Sequence, residues 1–379
     1  MCRPAAGKAR ETEMEANRYA GEALQAFAAA VLERLGVNAD DAFRTADALV
    51  RADLEGHAGH GISRLPIYAR RLAEGRINPN PRVAYERRGA VLLVDGDNGL
   101  GQAVAYRALE AACPVADELG VAAVFIRASN HFGTAAYLCR EAADRGCASI
   151  VATNSPPGIA PWGGKRAFLG TNPIAFGFPA EDGSPPVIVD LSSSVVARGK
   201  IISAHQLGEP IPEGWALDSD GRPTTDAAAA LRGSLLPLGG AKGYALALAI
   251  EMLCGVLAQA AVGPRVGNLY RDEDGRADIG HMLLLFRIWH WLEPEAYFRT
   301  VRTLVEDIKA VPLREGAERI RIPGERRFHS AAVREKIGVP VPDRVRRELE
   351  QWGERCGVPF PPPLAGPGGE YGPEKEERP

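Results

Sequence analysis

The chain has 379 residues, 46% apolar and 25% charged, enough for one large or two ordinary domains with a sizeable core. A formal net charge of -3 gives no electrostatic footprint for nucleic acid. Six scattered cysteines (Cys2, Cys113, Cys139, Cys147, Cys254, Cys356) form no CxxC pair, which fits reduced thiols in a cytoplasmic protein rather than a disulfide frame.

Residues 1–15 are charged and small-residue-rich with no apolar secretory core, and read as a disordered leader in which Met14 is a second candidate start. Ala20–Leu35 and Ala39–Leu54 have the spacing of two amphipathic helices, with Asn38 placed to cap the second. Glu55–Leu65 then packs Gly56, Gly59 and Gly61 with His57 and His60 into a bend ahead of a short helix, Leu65–Glu74. Glycine costs order in such a hinge, so a backbone or a ligand reason is implied.

Val91–Val94 reads as a strand, Asp95–Gln102 as a turn and Ala103–Leu119 as a helix. The turn's glycines follow GxxGxG rather than GxGxxG, and no acidic strand end follows at the right distance. A structural turn is therefore preferred over a phosphate cradle. The next stretch holds the most chemistry: a strand over Ala123–Ile126, a turn over Ser129–Thr134, a helix over Ala135–Arg145 and a strand over Ile150–Thr153. His131 thus sits at the end of a strand and the mouth of a helix, where α/β enzymes usually place reactive groups. An imidazole there, with an unperturbed pKa of about 6.5, exchanges a proton near neutrality; the alternative is a histidine that only caps a turn.

Pro156–Pro173 is a Gly/Pro loop that misses the P-loop pattern, because Gly164 and Lys165 stand where Lys and Ser or Thr belong. Strands are expected at Ile174–Phe178 and Val187–Val189, the second running into Asp190-Leu191-Ser192, with a helix over Val195–Ala204. The apolar run Gly243–Val262 approaches membrane-spanning length, but Glu251 in its middle argues for a buried core helix. A strand over Met282–Ile288, a helix over Pro294–Val311, a strand ending in a turn over Ile320–Glu325 and a helix over Asp343–Cys356 complete the pattern. Pro361–Pro379 has too few apolar residues to pack and is expected to be disordered.

Eight segments in one consistent order resemble the malate/L-lactate dehydrogenase family that lacks the Rossmann fold: GHAGHGISRL, DGDNGLGQ, SNHFGTAAY, GGKRAFLGTNP, VIVDLSSSVVARGKI, IPEGWALDSDGRPTTD, GGAKGY and IPGE. Its members include ureidoglycolate, sulfolactate and diketogulonate oxidoreductases and a cyclic-imine reductase. The resemblance implies an α/β, non-Rossmann NAD(P)-binding fold of the L-sulfolactate dehydrogenase-like type, with a mixed sheet and a helical N-terminal part. That part would span residues 16–80 with the hinge. Residues 81–358 would form the NAD(P)-binding and catalytic part, its C-terminal segment packing back on the helices, and 359–379 a disordered tail.

The resemblance also implies a cytoplasmic homodimer with no nucleic-acid or membrane partner. Its reaction would be hydride transfer between NAD or NADP and a small 2-hydroxy or 2-oxo acid. By similarity His131 is the catalytic proton acceptor, and His60 and Arg64 bind substrate. Ser155, Asp190, Leu191, Ser192, Lys242, Gly324 and Glu325 bind the dinucleotide. An arginine can hold a carboxylate with two parallel N–H bonds, and a lysine flanked by glycines can meet a phosphate. Gly59 departs from the Ser usual in the family, and Ile288–Trp291 is unfamiliar. Three alternatives stay open: a dinucleotide-binding homologue without turnover, a cyclic-imine carboxylate reductase, and a metal hydrolase using His57, His60 and His131.

Overall fold

The computed structural model describes residues 16–364, apart from 182 and 272–274. The expected leader and most of the expected tail lie outside the described residues. A short strand, Asn17–Tyr19 (β1), precedes two helices, Gly21–Arg34 (α1) and Ala39–Leu54 (α2), whose buried Leu24, Phe27, Val31, Ala42, Ala46 and Leu49 share one core. The Asn38 Oδ1 accepts the Asp41 N–H at 3.0 Å and caps α2. The glycine-rich hinge forms two tight turns, 58–60 and 62–64, and leads into Leu65–Ala73 (α3).

Next come Ala84–Arg88 (β2), Val91–Asp95 (β3), Gly101–Leu119 (α4), Val121–Ser129 (β4), Ala135–Asp144 (α5), Ala148–Thr153 (β5), Ile174–Phe178 (β6) and Val187–Leu191 (β7). Arg198–Leu207 (α6), Ala216–Leu217 (β8), Pro223–Thr224 (β9), Ala227–Arg232 (α7) and Ser234–Leu235 (β10) build a small lobe with its own apolar cluster. Ala241–Glu251 (α8), Ile279–Phe286 (β11), Pro294–Ala310 (α9), Glu325–Ile337 (α10), Val339–Val341 (β12) and Asp343–Cys356 (α11) follow.

The main sheet has the order β2-β3-β4-β11-β5-β6-β7, in which β3 and β4 are parallel and every other pair is antiparallel. Strand residues alternate between two buried layers. Val124, Ile126, Leu283 and Leu285 face α4 and α5; Phe125, Met282 and Leu284 face the Ile250 and Cys254 side of α8. The C-terminal segment returns to the first helices. β12 pairs with β1, and Leu349 joins the α1–α2 core.

Several expected elements change. The run Gly243–Val262 is not one helix: α8 ends at Glu251, a π-helical turn covers Met252–Val256, and the chain turns away from 257 onward. Glu251 causes this, because its buried carboxylate accepts the Gly263 N–H at 2.7 Å and draws the chain back across the helix end. Ile320–Glu325 is not a strand. It is a coil and turn from which α10, absent from the sequence reading, starts at Glu325. The described residues 359–364 of the expected disordered tail are packed instead: Leu364 N donates to Arg18 O at 2.8 Å, and Phe360 packs edge-on against Tyr19 and Phe27.

Candidate active site

Antiparallel registry places the decisive loops side by side. His281 of β11 stands between Ser129, the last residue of β4, and Thr153, the last of β5; its Nε2 lies 2.9 Å from Ser129 Oγ and its Nδ1 2.7 Å from Thr153 Oγ1. The loops carrying His131 and Ser155 therefore leave the same end of the sheet, two strand spacings or about 10 Å apart. Ala152, Ile174 and Leu191 are successive cross-strand partners, so Ser192 leaves that end as well. Leu238 N donates to Ser193 O at 2.8 Å and ties the Lys242 turn to this edge. Gly324 lies against the backbone of Ile188 on β7, where a Cβ would stand 3.1 Å from Ile188 O.

His131 is held from both sides. Its Nδ1 lies 2.6 Å from the Tyr68 hydroxyl on α3, and its Nε2 lies 3.2 Å from His60 Nδ1, with the two imidazoles stacked at 12°. The neighbouring Asn130 amide donates to Asn98 O and Gly99 O at 3.1 and 2.8 Å, locking the loop onto the glycine-rich turn. That turn has a steric reason for its glycines: a Cβ on Gly101 would stand 2.1 Å from Asn130 O and 2.5 Å from His131 O. Burial, reinforced by His60, Arg64 and His281, holds the His131 pKa well below its ordinary value. Burial and Arg64 likewise lower His60 to about 4. The sequence-based expectation of an imidazole titrating near neutrality is thus corrected. The ring is neutral at pH 7, the form that can accept a proton.

The hinge brings Arg64 to the same end. Ile62 N donates to the buried Asp53 carboxylate at 2.6 Å, and Gly61 admits no side chain, since a Cβ there would stand 1.9 Å from Asp53 Oδ1. Arg64 Nε donates to Gly59 O at 2.5 Å, which leaves the terminal nitrogens of its fork for a carboxylate. A Cβ on Gly59 would meet nothing within 4 Å, so a side chain such as serine's has room here.

The expected cofactor residues differ in what they offer. Lys242 is exposed at the N-terminus of α8, where free backbone N–H groups already favour an anion, so charge and helix dipole fit one phosphate. Gly239 and Gly240 before it take φ of +61° and +68°, which glycine adopts freely. Ser155 is fixed through Asn172, whose Oδ1 accepts the Ser155 N–H at 3.1 Å and whose amide donates to Glu251 at 2.7 Å. Ser192 Oγ lies 3.0 Å from Ser194 Oγ. The Asp190 carboxylate, by contrast, accepts from Arg327 at 3.0 Å, and the Arg327 guanidinium also reaches Glu55 at 2.6 Å. Asp190 therefore braces α10 against the sheet and α2. Glu325 is paired with Lys309 and accepts the Ile322 N–H at 3.1 Å. Ser155, Ser192 and the Lys242 turn thus share the strand ends of β5 and β7, whereas the Gly324–Glu325 turn lies beside Ile188 nearer the start of β7.

Sequence reasoning missed Tyr68, Gln102 and His281. Gln102 closes the DGDNGLGQ segment and Tyr68 lies one helical turn beyond Arg64, so both had positional signals. His281 had none. Among the described residues no three His, Cys, Asp or Glu side chains are grouped to hold a metal ion, so His57, His60 and His131 do not form the triad that a metal hydrolase needs.

A family model described as malate/L-lactate dehydrogenase matches residues 19–350. The chain belongs to the malate/L-lactate dehydrogenase family. Within it, a (2R)-3-sulfolactate dehydrogenase (NADP(+)) from Chromohalobacter salexigens is 40% identical over 86% of this chain and 96% of its own length. An L-sulfolactate dehydrogenase from Methanocaldococcus jannaschii is 43% identical over 86% and 94%. The solved sulfolactate dehydrogenase from Methanocaldococcus jannaschii superposes with a TM-score of 0.84 at 38% identity, covering 90% of this chain and 98% of the other. A more distant member, a delta1-piperideine-2-carboxylate reductase from Pseudomonas syringae, aligns with a TM-score of 0.75 at 28% identity, over 88% and 99%. The mixed sheet is thus a fold this malate/L-lactate dehydrogenase family member shares with its solved relatives.

Proposed function

We propose that this chain is an NAD(P)-dependent dehydrogenase that oxidises a small 2-hydroxy acid to its 2-oxo acid and runs the reverse reaction. The observation that carries the reading is the neutral His131, oriented by Tyr68 and lying beside His60 near an arginine fork. A nicotinamide, when bound, would supply the acceptor for the hydride of the carbinol carbon. Arg64 holds the substrate carboxylate, His60 presents its ring beside it, and His131 takes the hydroxyl proton at Nε2. Lys242, Ser155, Ser192 and the Gly324–Glu325 turn are the residues that would hold the dinucleotide. Nδ1 of His131 is committed to Tyr68, so Nε2, 3.2 Å from His60 Nδ1, is the nitrogen left to meet the substrate hydroxyl. A neutral imidazole accepts without first losing a proton, and the substrate carboxylate entering with Arg64 stabilises the imidazolium that forms.

The test is a panel of sulfolactate, malate, lactate and ureidoglycolate with NAD and NADP. His131→Ala should lower kcat by about 100-fold or more while dinucleotide affinity holds, because the loss belongs to the chemical step. A mutant that turns over at the wild-type rate rules the reading out. Arg64→Ala should act mainly on KM.

We further infer a homodimer, working in the cytoplasm. Leu248, Met252 and Val256 recur every fourth residue along α8 and its π-helical continuation and are 42%, 48% and 48% exposed, with Leu257 beside them at 53%. Trp162 beside Gly240 and Phe168 beside Gly263 are exposed as well, and an exposed apolar stripe of this kind fits a second copy of the chain. Among the described residues no helix is long and apolar enough to cross a membrane.

A further inference from the structure

Behind the proton acceptor lies a buried polar line. Tyr68 is 1% exposed, Gln102 1% exposed, and the Tyr68 hydroxyl lies 2.6 Å from His131 Nδ1 and 3.0 Å from Gln102 Nε2. A phenol carries one hydrogen. While the Gln102 amide N–H donates to the phenol oxygen, the phenol hydrogen goes to His131 Nδ1. A neutral His131 then carries its own hydrogen on Nε2 and donates it to His60. In that arrangement Nε2 cannot accept a proton. The same arrangement leaves the Gln102 carbonyl oxygen buried without a partner.

A half-turn of the Gln102 amide reverses every bond in the line. The amide oxygen then accepts from Tyr68, the Tyr68 oxygen accepts from His131 Nδ1–H, and Nε2 presents its lone pair. Only this direction also suits the product state, in which His131 bears hydrogens on both nitrogens and Nδ1 must donate to Tyr68. We propose that Gln102, acting through Tyr68, is the positioning residue that decides which nitrogen of His131 carries the proton, so that Nε2 is the base during oxidation.

This rests on the reading of His131 as proton acceptor. In the reaction the hydroxyl proton moves to His131 Nε2 while the hydride leaves for the nicotinamide, and Tyr68 and Gln102 exchange no proton with solvent.

The experiment uses the full chain with sulfolactate or malate as substrate. Gln102→Met, Gln102→Glu and Tyr68→Phe are compared by pH profiles of kcat, dinucleotide affinity and the nitrogen-15 shifts of the His131 ring. In Gln102→Met the Tyr68 hydrogen is free to stay on Nδ1. Its kcat should fall about 10- to 100-fold with KM and dinucleotide affinity within about twofold, and the ring should report the Nε2–H tautomer. Gln102→Glu accepts only, so it should recover at least about tenfold over Gln102→Met and move the acidic limb of the kcat profile to higher pH, with the ring reporting Nδ1–H. Gln102→Met combined with Tyr68→Phe should be no slower than the slower single variant. Wild-type kcat in Gln102→Met, or an unshifted acidic limb and unchanged tautomer in Gln102→Glu, overturns the proposal. An active His131→Ala overturns the underlying reading instead, so the two failures are told apart.

Discussion

Asp53 shows how much a single side chain controls. Burial pushes its pKa up from 3.8 to about 7, against the opposing pull of the Ile62 N–H bond and Arg334. The folded chain therefore binds this proton more tightly than the unfolded one. The stability this adds is whole below the unfolded pKa and is lost as pH rises through about 7. Asp53→Asn keeps an oxygen for the Ile62 N–H but cannot titrate. Between about pH 5 and pH 8 the wild type should lose more unfolding free energy than Asp53→Asn, followed by urea titration at each pH. Equal slopes for the two proteins count against it. Residues such as His131, His60 and Arg64 were legible because their types and spacing announce chemistry. Asp53 was not, since its significance comes only from the space Gly61 leaves, which is a packing fact no local pattern encodes.

Among the elements, α8 is one that the sequence misread, as was Ile320–Glu325. Apolar periodicity sees side chains but not which distant backbone groups seek a partner. The Glu251 carboxylate accepts from Asn172 at 2.7 Å and from Gly263 N at 2.7 Å, and Asn172 in turn fixes the Ser155 loop. Glu251→Leu would strand these donors. Each buried orphan costs about 1–3 kcal/mol, so the unfolding free energy should drop by about 3 kcal/mol or more, measured by denaturant titration, with dinucleotide affinity falling too. A variant of unchanged stability removes Glu251 from this role. The short pairing strands β1 and β12 and the helix α10 were also invisible to pattern. Three-residue strands carry too few residues for a period, and the buried Arg327 and Arg334 of α10 disguise its inner face as a charged surface.

For the molecule as a whole, the apolar stripe on α8 has a direct consequence for assembly. Met252→Glu places a charge at the centre of that stripe. On the homodimer reading it should sediment as a monomer at micromolar concentration where the wild type sediments as a dimer, while its far-ultraviolet circular dichroism stays that of the wild type. A wild type that already sediments as a monomer disposes of the interface. The α/β class, the helical start and the family were readable because segments with strong local character recur in one order. The sheet order was not, because β11 comes from the last third of the sequence yet pairs between β4 and β5.

That late strand bears on how the protein is made. β4 and β5 are not hydrogen-bonded to one another; on their facing sides each pairs with β11, which enters between them. A nascent chain halted before Ile279 therefore presents two raw sheet borders, and the loops of His131 and Ser155 have nothing to keep them in step. Synthesis must run past β11 before the reaction centre exists, and until then those borders invite pairing with a neighbouring polypeptide.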